Sequence, residues 1–408
     1  MRKFPDSGHQ LGAAAGPRLL PVRVYVYRKW RHGLSCGVGS VVNSRSGPLA
    51  MSGLFDFATS KARGFMNEAT TGNGGSDSRP IAIYYEQPNW FVPLFQQLDA
   101  RGVNWVKLDA RYHQYDAASP EREYALLFNR MSPSAWQRGV GHGIFYTLNY
   151  LKHLEDKGMR VVNGSRAFRH ETSKALQLAL LERLGLPYPK ARVINHVSQA
   201  VSAADAVGYP VIVKPNIGGS GAGIKRFSSR TELQAAVDEG SLQFGIDNTA
   251  LVQECFTARD GIITRVEVLG GKYLYAIQIH ITGETFDLCP ADICKSTKGE
   301  ELTRIACPVD APKTGMTVET YEAPRHVIKH VELIMQKAGI EVGGVEYVTD
   351  ERSGRQMYYD INALSNFVAD PERMLGFNPY GRLADYLIEE ARLHEGKETA
   401  VLEAGEKA

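Results

Sequence analysis

The chain has 408 residues, 43% of them apolar and 23% charged, a composition that fits a globular protein too long for one ordinary core and predicts several packed subdomains. Its net charge of +2 conceals an uneven distribution: residues 1 to 50 carry eight Lys or Arg and one acid, Asp6, leaving 39 basic against 44 acidic residues in the rest. A body that is net acidic lacks the basic excess of a nucleic-acid binder, and no apolar run approaches the ~18 residues of a membrane helix, so neither partner is expected.

The leader, residues 1 to 79, is rich in Arg, Gly and Ser, ends in Thr70-Thr-Gly-Asn-Gly-Gly-Ser-Asp-Ser, and reads as disordered. Met51 is an alternative start, and the basic stretch before it reads as an upstream mis-start or unstructured arm rather than a targeting peptide. Five sparsely placed cysteines, Cys36, Cys255, Cys289, Cys294 and Cys307, argue for reduced thiols. Cys289 and Cys294 have no second pair at zinc-site spacing and read as structural. Together these features predict a cytoplasmic protein.

From Pro80 the pattern alternates short apolar runs with amphipathic stretches: strand Ile81 to Tyr85, a helix ending near Gly102, then strands Val103 to Leu108 and Tyr124 to Phe128. This is a small α/β domain, residues 80–165. A helix with Val140, Ile144, Leu148 and Leu151 on one face follows, then the strand Met159 to Val162. Gly139, Gly141 and Gly143 do not make a dinucleotide fingerprint, because position 146 is Tyr and no strand precedes them. Residues 166–250 begin with a helix from about Thr172 to Leu184, with Leu176, Leu180 and Leu184 on its apolar face and a stop at Gly185. Strands Ala191 to Ile194, Val211 to Lys214 and Ile224 to Phe227 follow, and Ser229 with Glu232 opens a helix as a capping box. In residues 251–393, Ile262 to Leu269 and Lys272 to Ile281 flank Gly270-Gly271, a two-residue hairpin signal. A helix from Arg325 to Ala338 precedes a second hairpin, Gly344 to Thr349 with Gln356 to Ile361, and residues 394–408 are a tail. The fold class is α/β with an α+β arrangement in the larger part.

Three features carry chemistry. The run Val211-Ile-Val-Lys-Pro-Asn-Ile-Gly-Gly-Ser-Gly-Ala-Gly-Ile224 delivers Lys214 beside four glycines in six residues, Gly218, Gly219, Gly221 and Gly223, with Ser220 among them. Glycines let backbone N–H groups converge on phosphate oxygens, and a lysine adds a point charge. The strand Leu251-Val-Gln-Glu-Cys-Phe256 ends in Gln253 and Glu254 and then an aromatic, an arrangement that can offer backbone groups to an adenine edge, or else an ordinary edge strand. In the second hairpin Asp360 and Asn362 share a sheet face, and a turn centred on Ser353 puts Glu346 across from Asp360. Facing carboxylates with an amide are hard oxygen donors suited to magnesium. Without a cation they repel, so Asp360→Asn is expected to leave nucleotide-free stability unchanged or raised.

The order Lys174, Lys214, Gly-rich loop, Gln253-Glu254, Arg265, Asp360-x-Asn362 resembles the ATP-grasp superfamily. The stretch Asn163-Gly-Ser-Arg-Ala-Phe-Arg-His-Glu-Thr-Ser-Lys174, with the Leu184-Gly-Leu-Pro stop, is similar to the RimK-type α-L-glutamate ligases. The resemblance spans Pro80 to Leu393 and implies a carboxylate-amine ligase using ATP and magnesium or manganese through an acyl phosphate. It further implies that Lys174 and Lys214 hold ATP phosphates under a lid formed by Gly218 to Gly223, and that Gln253, Glu254 and Phe256 line the adenine site. Arg265 would lie near the acyl phosphate, and Glu346, Asp360 and Asn362 would hold the metal. Ile263 stands where the family has an acid, which passes ribose binding to Asp260, and Asp360 replaces the family's longer Glu. An ATP-grasp kinase and a non-catalytic ATP-binding module are the alternatives, and a homo-oligomer is left open. His280, Lys295 and Arg304 are basic or polar residues that read as solvated surface.

Overall fold

The computed structural model describes residues 79–119, 122–219, 222–280, 317–368 and 370–405. The leader, Ser220, Gly221, Lys295, Arg304 and every cysteine but Cys255 lie outside them.

Strand β1 (Ile81–Tyr85) is flanked by β2 (Trp105–Asp109) and β3 (Leu126–Arg130), with β4 (Val161–Val162) beyond β3, all parallel in the order β2-β1-β3-β4. Parallel strands are covered on both faces, which is why these runs are apolar throughout. Ile81, Ile83 and Tyr85 face helix α1 (Val92–Ala100) and a larger core, and Ala82, Tyr84 and Leu127 pack under helix α2 (Gly141–Asp156).

The helix expected over about Thr172 to Leu184 is α4 (Lys174–Arg183), and a further short helix, α3 (Ser165–Glu171), precedes it across Thr172-Ser173. The apolar face read from sequence is also rotated: Leu176 is 43% exposed, while Gln177, Leu178, Leu180 and Leu181 are buried. Tertiary hydrogen bonds override the leucine stripe. The Gln177 side chain donates to the Ile361 carbonyl (2.8 Å) and accepts the Ile361 N–H (3.2 Å), docking α4 against a strand edge.

A second, antiparallel sheet comprises β5 (Ala191–Ile194), β6 (Val211–Pro215), β7 (Lys225–Phe227) and β8 (Ala250–Glu254) in the order β5-β8-β6-β7. It is covered by α5 (Ala200–Val207), which the sequence reading left unassigned, and α6 (Arg230–Asp238). The buried members of this core all fall between Ile194 and Val252. Ser229 caps α6 by accepting the Glu232 N–H (3.3 Å), but the Glu232 carboxylate takes the Ser228 N–H (2.7 Å) rather than that of Ser229, so the capping box is displaced by one residue.

The third sheet is antiparallel, in the order β11-β10-β9-β12-β13, from β9 (Ala258–Leu269), β10 (Lys272–His280), β11 (Thr317–Tyr321), β12 (Val342–Asp350) and β13 (Gln356–Asn362). Gly270 and Gly271 have φ of 60° and 70°, the left-handed pair that a two-residue hairpin turn requires. One face, with Val266, Val268, Val345 and Ile361, packs on helix α7 (Arg325–Ala338). On the other, Ile263, Tyr275, Ile277 and Val348 share a core with the parallel sheet and with Leu383, Ala384 and Leu387 of the final helix, which follows the short α8 (Pro371–Leu375) as α9 (Pro379–Gly405). Polar ties also cross this junction. Asn163 donates to the Val342 and Ala363 carbonyls (2.7 and 2.8 Å) and accepts the Glu341 N–H (2.9 Å). Arg160 bonds both Glu341 and Glu390.

Candidate active site

The β12-β13 register places Glu346 opposite Asp360 and Gly344 opposite Asn362, the expected pairing, but by way of a bulge, because the strands beside the turn pair Tyr347 with Tyr358. Glu346 also pairs with Arg265 on β9, and Gly344 with Glu267. Alternation then gathers Arg265, Glu267, Glu346, Asp360 and Asn362 on one sheet face. The facing carboxylates are not bare, however. Lys174, at the start of α4, places Nζ 2.6 Å from Asp360 Oδ1, and Arg265 Nη1 lies 2.9 Å from Glu346 Oε1. Asn362 Nδ2 donates to Asp360 Oδ2 at 3.1 Å. The expected sign of the Asp360→Asn effect on stability is therefore reversed: each carboxylate has a cationic partner, and removing one charge strands that partner instead of relieving repulsion.

The electrostatics follow from burial and pairing. Burial pulls the Asp360 carboxyl upward, but the Lys174 charge and hydrogen bond, aided by Lys214, hold it below its ordinary value. Burial raises Glu346 in spite of Arg265, and Asp360 adds to the rise. Lys174 is disfavoured by burial yet ends above its usual value because Asp360 is in contact. As for a metal, among the described residues no three His, Cys, Asp or Glu side chains converge. The available set is two carboxylates plus the Asn362 amide, oxygen donors that fit a hard cation.

Lys214, next to last in β6, is almost fully buried, 5% exposed, and its charge helps to hold the Asp360 carboxyl down, which groups it with Lys174 and the acid pair. Beyond it the glycine loop doubles back on its own strand: Gly223 has φ of 74°, and a Cβ there would come within 2.9 Å of Pro215 Cγ. Gly218 lies beside Pro215 as well. Gly219 sits against Ser134, where a Cβ would lie 3.0 Å from the serine Cβ, and its carbonyl accepts from Gln137 Nε2 (3.1 Å).

The remaining sequence candidates fare less uniformly. Strand β8 is interior, between β5 and β6, and not an edge. The Glu254 N–H goes to the Lys190 carbonyl (2.9 Å) and the Cys255 N–H to the Pro210 carbonyl (2.9 Å), so these donors are engaged within the protein. The Glu254 carboxylate takes the Lys190 N–H (2.7 Å), Gln253 is buried, and Phe256 is packed in the shared core. Asp260 is exposed with φ of 56° and is not among the residues of the acid-base cluster. His280 pairs with Glu319 on the neighbouring strand (2.8 Å).

Sequence reading missed three residues of the cluster. Glu267, 2% exposed, accepts from Arg265 Nε at 2.6 Å. A charged pair at i and i+2 in an otherwise apolar β run was the available signal. The two side chains lie over Gly344, whose added Cβ would be 2.9 Å from Glu267 Oε2 and 3.1 Å from Arg265 Nε. Tyr359 donates to Glu346 Oε2 (2.7 Å), brought there by an irregularity after the Glu346 pair that no alternation pattern foretells. Glu171 accepts the Ala363 N–H, and burial pushes its carboxyl up to about 7.

Residues 180–315 match the family model for the D-ala D-ala ligase C-terminus. Over 202 residues the chain is 29% identical to the phosphoribosylamine-glycine ligase of Nostoc sp., covering 48% of this chain and 44% of that one. It is 26% identical over 258 residues to the carbamoyl phosphate synthase large chain of Thermus thermophilus, covering 59% and 22%. The chain thus spans less than half the length of these curated relatives. Among solved structures, the ATP-grasp ligase PsnB complexed with a minimal precursor aligns with TM-score 0.54 and 20% identity over 77% of this chain and 99% of PsnB. The RimK domain ATP-grasp protein of Sphaerobacter thermophilus aligns with TM-score 0.53 and 18% identity over 75% and 98%. The D-alanine-D-alanine ligase of Bacillus anthracis gives TM-score 0.54 and 15% identity over 78% and 100%.

Proposed function

We propose that this chain, a member of the ATP-grasp superfamily, joins a carboxylate to an amine at the expense of ATP through an acyl phosphate. The observation that carries the reading is the convergence of Lys174, Lys214 and Arg265 on the Glu346, Asp360 and Asn362 hairpin face, with a glycine loop leaving the same strand as Lys214. Arranged in this way, the cations supply fixed charge where a transferring phosphoryl group would accumulate it, and positioning with charge neutralisation accounts for most catalysis of that kind. Lys174 and Lys214 hold phosphates, Arg265 faces the acyl phosphate, and Gly218 to Gly223 cover the nucleotide. Glu346, Asp360 and the Asn362 amide would hold magnesium, or manganese in its place, which when bound neutralises phosphate charge. Adenine falls to the Gln253-Glu254 strand end and ribose to Asp260.

In the first step a substrate carboxylate oxygen bonds to the γ-phosphorus as the bond to the bridging oxygen of ADP breaks. In the second the amine nitrogen bonds to the acyl carbon, phosphate leaves, and the amine loses its proton. No protein nucleophile is required. The fold neighbours include a D-alanine-D-alanine ligase and PsnB complexed with a precursor peptide, which supports an amino acid or a peptide as the amine substrate here.

The deciding experiment is a screen of amino acids and peptides for release of ADP and phosphate that depends on both an acid and an amine. ADP release matched by a stably phosphorylated acceptor and no free phosphate would establish a kinase instead. ATP binding without turnover across the screen would establish a binding module.

A further inference from the structure

Residue Asn216 stands where β6 leaves the second sheet and meets the first turn of α4, and all of its polar groups are used there. Its carbonyl accepts the Lys174 N–H (3.3 Å) and its own N–H donates to the Thr249 carbonyl (3.0 Å). Side-chain Oδ1 accepts the Ala175 N–H (2.9 Å) and the Ser173 hydroxyl (3.2 Å), and Nδ2 donates to Asp247 Oδ2 (2.6 Å). Ser173 takes the next amide, that of Leu176, at 3.2 Å. The opening N–H groups of α4 are therefore satisfied inside the protein, and the start of this helix is not an anion site. Whatever α4 offers to a phosphate comes from the Lys174 side chain alone.

We infer that Asn216 is a positioning residue that sets the separation between Lys174 and Lys214, an inference that rests on the reading of both lysines as ATP phosphate ligands. Lys214 lies in β6, two residues before Asn216, which directly follows that strand, and Lys174 is the residue whose N–H Asn216 holds. The lysines otherwise belong to differently packed parts. Strand β6 contributes Val211 and Val213 to the core confined to residues between Ile194 and Val252, whereas α4 contributes Leu180 and Leu181 to the core around Val345 and Ile361. With Asn216 only 7% exposed and bonded on both sides, a shift of one part relative to the other is resisted at the point where the two charges must act together. A triphosphate held by point charges is sensitive to such a shift, because the attraction falls with distance and misplacement by about 1 Å weakens it sharply.

The test compares calorimetric affinities for ATP and for adenosine, which lacks the phosphates. Asn216→Ala is expected to weaken ATP about tenfold or more and to leave adenosine within about twofold of wild type. Asn216→Asp sets two carboxylates together and should lose ATP affinity similarly. Adding Asp247→Asn restores the pair with donor and acceptor exchanged, and ATP affinity should recover to within about threefold of wild type. If Asn216→Ala does not fold, Asp247→Ala removes the acceptor of Asn216 Nδ2 and should lower ATP affinity about threefold with adenosine unchanged. Unchanged ATP affinity, equal losses for ATP and adenosine, or failure of the exchanged pair to recover overturns the positioning role while leaving the ATP site standing. A folded wild type that binds no ATP overturns the site reading itself.

Discussion

At the scale of single residues, the candidate site is a balanced set of charges in which every acid of the hairpin face has a partner. Asp360→Asn keeps one acceptor for Lys174 but removes the opposite charge, so nucleotide-free stability should fall by about 1 to 2 kcal/mol in a melting experiment with EDTA. Unchanged or raised stability would show that the Lys174 contact is not formed in solution. A second charge statement lies away from this cluster. His113, ringed by Tyr84, Tyr115, Tyr146 and Tyr150 and bonded through Nδ1 to the Tyr146 hydroxyl (2.9 Å), is lowered by burial to about 4, with Glu123 opposing the shift. A histidine held neutral contributes stability that is present above its unfolded value near 6.5 and lost as pH falls through the folded value. Melting temperature should therefore drop between about pH 6.5 and 4, and His113→Phe should flatten that part of the profile. An identical slope in the variant would remove His113 from the account.

Among the elements, the central sheet β5-β8-β6-β7 is distinguished by a core of its own, with α5 and α6 against it. Among the described residues its ties outward include Asn216 to α4, Ile217, which is packed with Ala135, Met131 and Ile144 beside the parallel sheet, and the Gly219 carbonyl, which accepts from Gln137. A part with its own core and limited ties opens at its own free energy, below that of the global transition. Hydrogen exchange should resolve the amides of Val213 and Val252 as one cooperative group, less protected than Val266 and Val345 in the five-stranded sheet, and ATP should raise their protection. Equal protection across both sheets without nucleotide would mean that the central sheet does not open separately. Helix α4 makes the same point about packing. Its leucine stripe read correctly as helical, yet the face it presents is chosen by Gln177 and Lys174, whose partners sit on β13 nearly two hundred positions away.

Across the whole molecule, the first and third sheets are joined by an extensive shared core, by the Asn163 side chain and by the Arg160 network. Helix α9 seals that junction, with Arg101 bonded to Asp385 at 2.6 Å and Tyr386 to Glu341 at 2.6 Å. The Arg-, Gly- and Ser-rich composition of residues 1 to about 75 predicts little core, so removing that segment should leave the melting temperature within about 2 °C and ATP affinity unchanged. A large drop in either would assign the leader a structural role. No helix among the described residues is long and apolar enough to cross a membrane.

What the sequence determined by itself was whatever depends on neighbours along the chain. Alternation and glycine placement located every strand but β11, both hairpins and the helix over Arg325 to Ala338, whereas the pairing of Glu346 with Asp360 also needed a bulge beyond the turn-side register of Tyr347 with Tyr358. Contacts between segments remote in sequence were set by packing and were not legible along the chain. Lys174 reaching Asp360, Arg265 shared between Glu267 and Glu346, the bulge that turns Tyr359 onto Glu346, and the inward rotation of α4 all depend on how separate elements dock. Periodicity reports which face of an element is apolar. It carries no record of which charge from another element will stand opposite an acid, and that pairing determines whether the acid is strained, metal-seeking or already neutralised.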